Sequence, residues 1–270
     1  VEAIKRSAEL IERDAWLDLF SAAPDHVREG LGLASTELAG MGLVGCRAIP
    51  ITELNRAMAV GIDGEPTRED LKAAVTWLDA NAAGWALQAA PFGMADVVQA
   101  FIAEESLTAT GTGWAKFART DGIPEALQGP IEIAQADAAL AASFGSAVAG
   151  GFGLPTPCAD WFAALIGRPS WHCFLAVVDG TVAGGGTMYV RDEAAWLGIA
   201  STLPAFRNRG VQRSVLDHRI TVAVEMGVRV ETSETGQPGE GREADFPSFR
   251  NMRRAGFDRL YVRPNFKRQS

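Results

Sequence analysis

Cysteine is scarce in this chain. Cys46, Cys158 and Cys173 are odd in number and far apart, with no CxxC pair and no nearby histidine to complete a metal site. This excludes a disulfide framework and gives no metal site; buried thiols in a reducing cytosol are expected. A strong basic excess is also lacking. The net charge is −8, with 10 Lys and Arg against 19 Asp and Glu over residues 1–129, and 15 against 14 over residues 130–270. Neither half has the charge of a nucleic-acid surface. Charge is missing altogether from Ala138 to Ala159, but Gly150, Gly151, Gly153, Pro155 and Pro157 crowd the second half of that run. An isolated membrane span with that backbone would leave polar groups unpaired in lipid. At the N-terminus, Glu2, Lys5, Arg6 and Glu9 stand where a signal peptide would need an apolar core. The expected compartment is the cytoplasm, without membrane contact.

What the chain does have is the composition of ordinary globular protein, 47% apolar and 21% charged over 270 residues. That is enough for two domains of about 100–150 residues each. Residues 1–30 have helical spacing up to Pro24, followed by strand-like runs over Ser35–Val44 and Arg56–Ile62. Thr67 with Asp70 three residues on predicts a capped helix to about Asn81. A strand over Trp85–Ala90, a helix over Met94–Ser106 and a strand over Thr112–Arg119 complete the first half. Asp121–Pro130, rich in Gly and Pro, is the expected linker. Beyond it the pattern predicts a strand over Ile131–Ala136, a helix over Asp137–Val148, a loop over Gly150–Pro157 and a helix over Ala159–Ile166. A three-stranded meander from Cys173 to Thr202 follows, turning at Asp179-Gly180. A helix over Val211–Met226, a strand over Val228–Thr232, a short helix over Pro247–Arg254 and a strand over Phe257–Pro264 close the chain.

The most informative stretch is Ala200–Gly227. An apolar strand ends in Thr202-Leu203-Pro204, a loop carries Arg207, Asn208, Arg209 and Gly210, and a helix begins at Val211-Gln212-Arg213. Free N–H groups and the positive end of the helix dipole make such a helix start an anion cradle, and the fork-shaped guanidinium groups add donors matched to phosphate. Of the 15 basic residues after residue 129, 14 are arginine, as suits an anionic ligand. The two halves also share an order. Gly210 and Thr67 lie 143 residues apart, as do Gly256-Phe257 and Gly113-Trp114, which favours a duplicated unit. The counterpart of the cradle in the first half carries Glu65, Glu69 and Asp70, which repel phosphate, so no nucleotide-like ligand is expected there.

Strand, Arg207-x-x-Gly210-x-Gln212 and helix, preceded by Thr202-Leu203-Pro204 and followed by Asp245-Phe246-Pro247-Ser248 and Ala255-Gly256-Phe257, resemble the GNAT superfamily of acetyl-CoA-dependent N-acetyltransferases. The resemblance covers about the last 135 residues. Gln212 stands where the family signature has Gly or Ala, and Met252 where many relatives have a tyrosine proposed as general acid. The resemblance implies an α/β (α+β) chain of two GNAT-like halves, each a mixed, mostly antiparallel twisted sheet flanked by helices. The degenerate half would span residues 1–120, the linker 121–130, and the acetyl-CoA-binding catalytic half 131–270. It also implies acetyl-CoA as cosubstrate and no metal. Pantetheine would lie near Thr202 and Leu203, and pyrophosphate on the N–H groups from Arg207 to Arg213, that is Arg207, Asn208, Arg209, Gly210, Val211, Gln212 and Arg213. The thioester would be polarised by a backbone amide near Thr202 and attacked directly by a small-molecule or peptide amine. Candidate proton acceptors are Glu231, at the end of its strand, and Glu234 just beyond. Trp161, Trp171 and the Gly150–Pro157 loop fall where relatives build the acceptor wall. A CoA-binding regulatory protein without turnover is the competing expectation, and the halves pack either within one chain or across a homodimer.

Overall fold

The computed structural model describes residues 1–123 and 131–268. Helix α1 (Glu2–Ser21) buries Ala8, Ile11, Ala15 and Leu19 at helical spacing, together with Glu9 and Glu12 on the same side. After Pro24, α2 (Asp25–Leu31) ends on Gly32 in the left-handed conformation. The single strand expected over Ser35–Val44 is instead a hairpin of β1 (Leu33–Leu38) and β2 (Met41–Cys46). It turns at Ala39-Gly40, both at positive φ. Alanine in that position carries no turn signal of the Asn-Gly kind. Next come β3 (Arg56–Met58) and α3 (Arg68–Asn81), the latter opened by the expected capping box of Thr67 and Asp70. β4 (Ala86–Gln88), α4 (Asp96–Glu104) and β5 (Leu107–Arg119) end the first half. Most of the expected linker, residues 124–130, lies outside the described residues.

The second half runs β6 (Ile131–Gln135), α5 (Ala141–Phe152), α6 (Pro157–Ala163), β7 (Trp171–Val178), β8 (Thr181–Arg191), β9 (Ala194–Trp196) and β10 (Ala200–Thr202). It ends with α7 (Val211–Glu225), β11 (Val230–Gly236), α8 (Pro247–Arg254) and β12 (Asp258–Arg268). The expected loop over Gly150–Pro157 is therefore helical as far as Phe152. A Cβ on Gly151 would lie 2.6 Å from the Ser201 Cβ, so glycine here lets α5 press on β10 rather than breaking the helix. No described helix is long and apolar enough to cross a membrane. The three thiols are buried and free, and burial pushes Cys158 up to about 11 and Cys173 up to about 12.

One twisted sheet holds the whole chain together, in the order β1-β2-β3-β4-β12-β5-β11-β9-β8-β7-β6, with β10 paired to β8. Among the described residues only β3·β4 and β9·β11 are parallel, one pair in each half. The last strands of the halves are exchanged: β12 pairs with β4, and β5 pairs with β11. A boundary at residues 121–130 thus divides the chain order but not the sheet. The duplicated order is present, with 143 residues separating the first residues of α3 and α7. Gly256-Phe257, however, corresponds to Ser106-Leu107, because each pair links the last helix of its half to the last strand. Ser106 and Gly256 both stand at positive φ just before the last strand of their half, whereas Gly113, also at positive φ, lies inside β5, so that part of the 143-residue spacing is coincidence.

Candidate functional site

The site is built where two parallel strands part. β9 and β11 pair from Ala194 and Val230 to Trp196 and Thr232, and the last link is Leu197 N–H to the Thr232 carbonyl at 2.7 Å. The chain then bulges through Gly198 and Ile199, the latter at φ +48°, and β10 leaves β11 to pair with β8 alone. β11 continues along β5, which opens a gap between β10 and β11. Leu203 N–H donates to the Ala183 carbonyl on the β8 side at 2.9 Å, so the preceding amide, that of Thr202, points into the gap. The Thr202 hydroxyl is buried and has no hydrogen-bond partner among the described residues. Leu203 lines neither the cleft nor the cavity described below: its N–H is spent on Ala183 and its carbonyl accepts from Phe206 N–H in the following turn.

Above the gap, Asn208 and Gly210 take positive φ (61° and 87°), and Gly210 is the N-cap of α7 with no side-chain cap. Ser214 N–H is the first to bond within the helix, to the Gly210 carbonyl. The N–H groups of Val211, Gln212 and Arg213 are therefore left for a ligand. They open on a cleft of about 860 Å³ that also takes in Thr202, Arg207, Asn208 and Arg209. Arg207 donates to the Gly151 carbonyl at 3.2 Å, and Arg209 lies 5.3 Å over the Phe206 ring and 3.4 Å from Asp179. Arg213 is tied to Asp217 at 2.7 Å. The Gln212 side chain turns away to α8, donating to Ser248 Oγ at 2.9 Å and accepting from Asn251 at 2.8 Å, which leaves its backbone N–H on the cleft side. Sequence reasoning missed Arg250 and Arg254, which line the same cleft. Their i,i+4 spacing on α8 puts both on one face and was the available signal.

Phe152, Ala200, Gln212, Ser248 and Asn251 line this cleft and also a second cavity of about 530 Å³, so the two join. The second cavity lies between the halves. Trp16, Ile51, Glu53 and Trp114 come from the first half, and Phe152, Leu154, Trp196 and Glu234 from the second. Glu234 accepts from Lys116 Nζ at 2.9 Å and from Trp196 Nε1 at 3.0 Å. Glu231 is not brought to either space. It is buried on the other side of β11, 3.7 Å from Arg119, and burial pushes its carboxyl up to about 7 against the opposing pull of that arginine. Trp161 and Trp171 are core residues whose indole N–H groups bond Leu19 O and Asp18, and neither lines the cavity. His172 and His218 are half-buried away from it, both lowered by burial.

The corresponding place in the first half is shut. The Thr67 capping box takes up the start of α3. Past β3 and β4 the backbones of Gly61 and Gly93 meet directly: a Cβ on Gly61 would fall on the Gly93 carbonyl oxygen, and one on Gly93 would lie 2.6 Å from the Val60 carbonyl oxygen.

Residues 150–241, which carry the parting strands and the α7 cradle, match the family described as Acetyltransferase (GNAT) family. This chain carries a GNAT-family domain. The fold of the whole chain agrees. A GCN5-related N-acetyltransferase from Kribbella flavida superposes with a TM-score of 0.59 at 14% identity, over 97% of this chain and 96% of its own. One from Sphaerobacter thermophilus gives 0.60 at 16%, over 79% and 71%. A tandem GNAT protein from the clavulanic acid biosynthesis pathway gives 0.55 at 14%, over 96% and 94%. No curated protein matches this chain.

Proposed function

We propose that the chain transfers an acyl group, acetyl in the first instance, from acyl-CoA to an amine held between its halves. The observation that carries this is the continuity of the two spaces. The gap beside Thr202 and the uncapped amides of α7 offer donors to an extended amide chain ending in phosphates, and the joined cavity places a second substrate beside the end of that gap. The five arginines of the cleft, Arg207, Arg209, Arg213, Arg250 and Arg254, suit the phosphates. The unpartnered Thr202 hydroxyl and outward amide suit the pantetheine arm.

With both substrates bound, the amine nitrogen attacks the thioester carbonyl carbon, the C–S bond breaks with its electron pair going to sulfur, and the thiolate leaves toward the open cleft, where it takes a proton from solvent. The nitrogen must shed a proton; of the two carboxylates lining the cavity, Glu53 and Glu234, we assign this to Glu234, which stands on β11 at the edge of the gap, acting directly or through water. The mostly apolar and aromatic walls suit a small amine on an apolar body. A CoA-binding protein without turnover is the second reading. It is favoured by Glu234 already holding Lys116 and Trp196, and by Met252, a thioether with no proton to give.

Thermal shift separates these from a structural role. A ligand at 100 times its dissociation constant stabilises by ~2.7 kcal/mol, and absence of any shift with acetyl-CoA or CoA would remove both readings. Release of free thiol from acetyl-CoA in the presence of apolar primary amines then decides between enzyme and sensor.

A further inference from the structure

Arg219, on α7, is 1% exposed. Its Nε donates to the Val215 carbonyl at 3.3 Å, and its Nη1 to the carbonyls of Thr187 at 2.7 Å and Gly198 at 3.1 Å. Among the described residues no carboxylate lies within ion-pair distance of it. Burial pulls its pKa down to about 9, which still leaves it protonated at neutral pH. A buried cation without an acid is costly to keep for packing alone. What it holds explains its presence.

The Gly198 carbonyl accepts twice, from Arg219 and from the Thr187 hydroxyl at 3.0 Å, which fixes it toward β8 and α7. No peptide in the described chain is cis, so the other end of the same peptide, the N–H of Ile199, must point the opposite way. That direction is the gap where β10 leaves β11. Among the described residues neither the Gly198 nor the Ile199 N–H donates to any acceptor. Ile199 holds φ +48°, a conformation that β-branched residues avoid and that the doubly bonded carbonyl before it keeps in place. Gly198, Ile199 and Arg219 all line the cavity that contains Glu234.

We infer that Arg219 is the positioning residue for acyl transfer: through the Gly198 carbonyl it turns the Ile199 N–H onto the thioester carbonyl oxygen and strengthens that donor. This rests on the acyl-CoA reading above. A hydrogen bond from a cation to the carbonyl end of a peptide polarises its N–H end. The charge also lies behind the place where the carbonyl oxygen becomes negative, and it is held by a buried side chain, where a preorganised charge acts more strongly than in bulk solvent.

The test uses the full chain and acetyl-CoA labelled with carbon-13 at the thioester carbonyl, read by difference infrared spectroscopy. In the wild type the carbonyl band is expected below that of free acetyl-CoA. Arg219→Met should move it most of the way back, with the dissociation constant changed by less than about threefold and, where an amine is turned over, kcat lowered about 10²–10³-fold at unchanged KM. Thr187→Val, isosteric and without any change of charge, removes the second donor to the same carbonyl and should move the band part of the way, which covers the case in which the Arg219 variant does not fold. A wild-type band at the free position in saturated protein, or an unshifted band in both variants, overturns the inference while leaving the binding reading intact. If titration shows that acetyl-CoA does not bind the wild type, the acyl-CoA reading falls and takes this one with it.

Discussion

Glu231 and Glu234 stand three residues apart on β11, so their side chains leave opposite faces of the sheet and meet opposite fates. Glu231 is enclosed with Arg119 too distant to compensate its burial, and its carboxyl is raised to about 7 from an ordinary 4.5. A carboxyl raised in the folded state is better protonated there than in the unfolded chain. Its contribution is therefore present below the ordinary value and is lost as pH rises toward 7. Glu231→Gln should accordingly be more stable than wild type at pH 8, by about 1–3 kcal/mol, and no more stable at pH 4, in urea melts at the two pH values. Glu234, by contrast, faces two donors and the cavity. Glu234→Gln keeps its volume and can still accept from Lys116 and Trp196, so acetyl-CoA binding should be unchanged. Amine-dependent thiol release should fall at least about 10²-fold, the usual contribution of a positioned proton acceptor; unchanged turnover would transfer that role to another group.

At the scale of elements, the two halves use the same helix start in opposite ways. Thr67 and Asp70 close the amides of α3 with a reciprocal cap, while Gly210 leaves those of α7 open. Arg209→Glu should abolish the stabilisation by acetyl-CoA and Glu69→Ala should leave it intact, both read by thermal shift; equal losses would mean that the ligand sits elsewhere. The contrast was legible in the sequence because caps and acidic first turns are local devices. So were the helix ends at Asn81 and Arg254, the Asp179-Gly180 turn, and the cleft residues Thr202 and Arg207 to Arg213. What was not legible depends on contacts between distant segments. Gly151 looked like a loop residue because the need for a bare backbone comes from Ser201 on another element. The Thr202-Leu203-Pro204 pattern points Leu203 at a ligand, whereas its amide is taken by the Ala183 carbonyl of another strand. Nothing local to α7 marks Arg219 as the residue on which the carbonyls of Thr187 in β8 and Gly198 in the bulge converge.

The whole molecule is fastened by exchanged strands and by a buried set of charges laid across their junction. Glu12 of α1 meets Arg263 of β12 at 2.6 Å, Lys116 of β5 at 2.6 Å and Arg56 of β3 at 3.0 Å. Glu9 holds Arg263 at 2.9 Å and the Tyr261 hydroxyl at 2.6 Å, and Lys116 passes the chain of contacts on to Glu234. The row thus begins with the first helix and ends at the wall of the cavity between the halves, so the half with the closed cleft braces that wall. Burial by itself would raise the Glu12 carboxyl, but Arg263, Lys116 and Arg56 overcome it and hold it well below its ordinary 4.5. A carboxyl depressed in the folded state stabilises above its ordinary value and loses that contribution as pH falls through the folded one. Removing this one acid leaves buried Arg56 without a carboxylate partner among the described residues and leaves Arg263 and Lys116 with only Glu9 and Glu234, a loss of the order of 3–5 kcal/mol. Since the charges come from both halves, Glu12→Gln should shift a single cooperative unfolding transition of the entire chain at pH 7, and the difference from wild type should shrink below about pH 4. Two transitions in calorimetry, with only one of them moved, would show instead that the halves are independent units that merely touch.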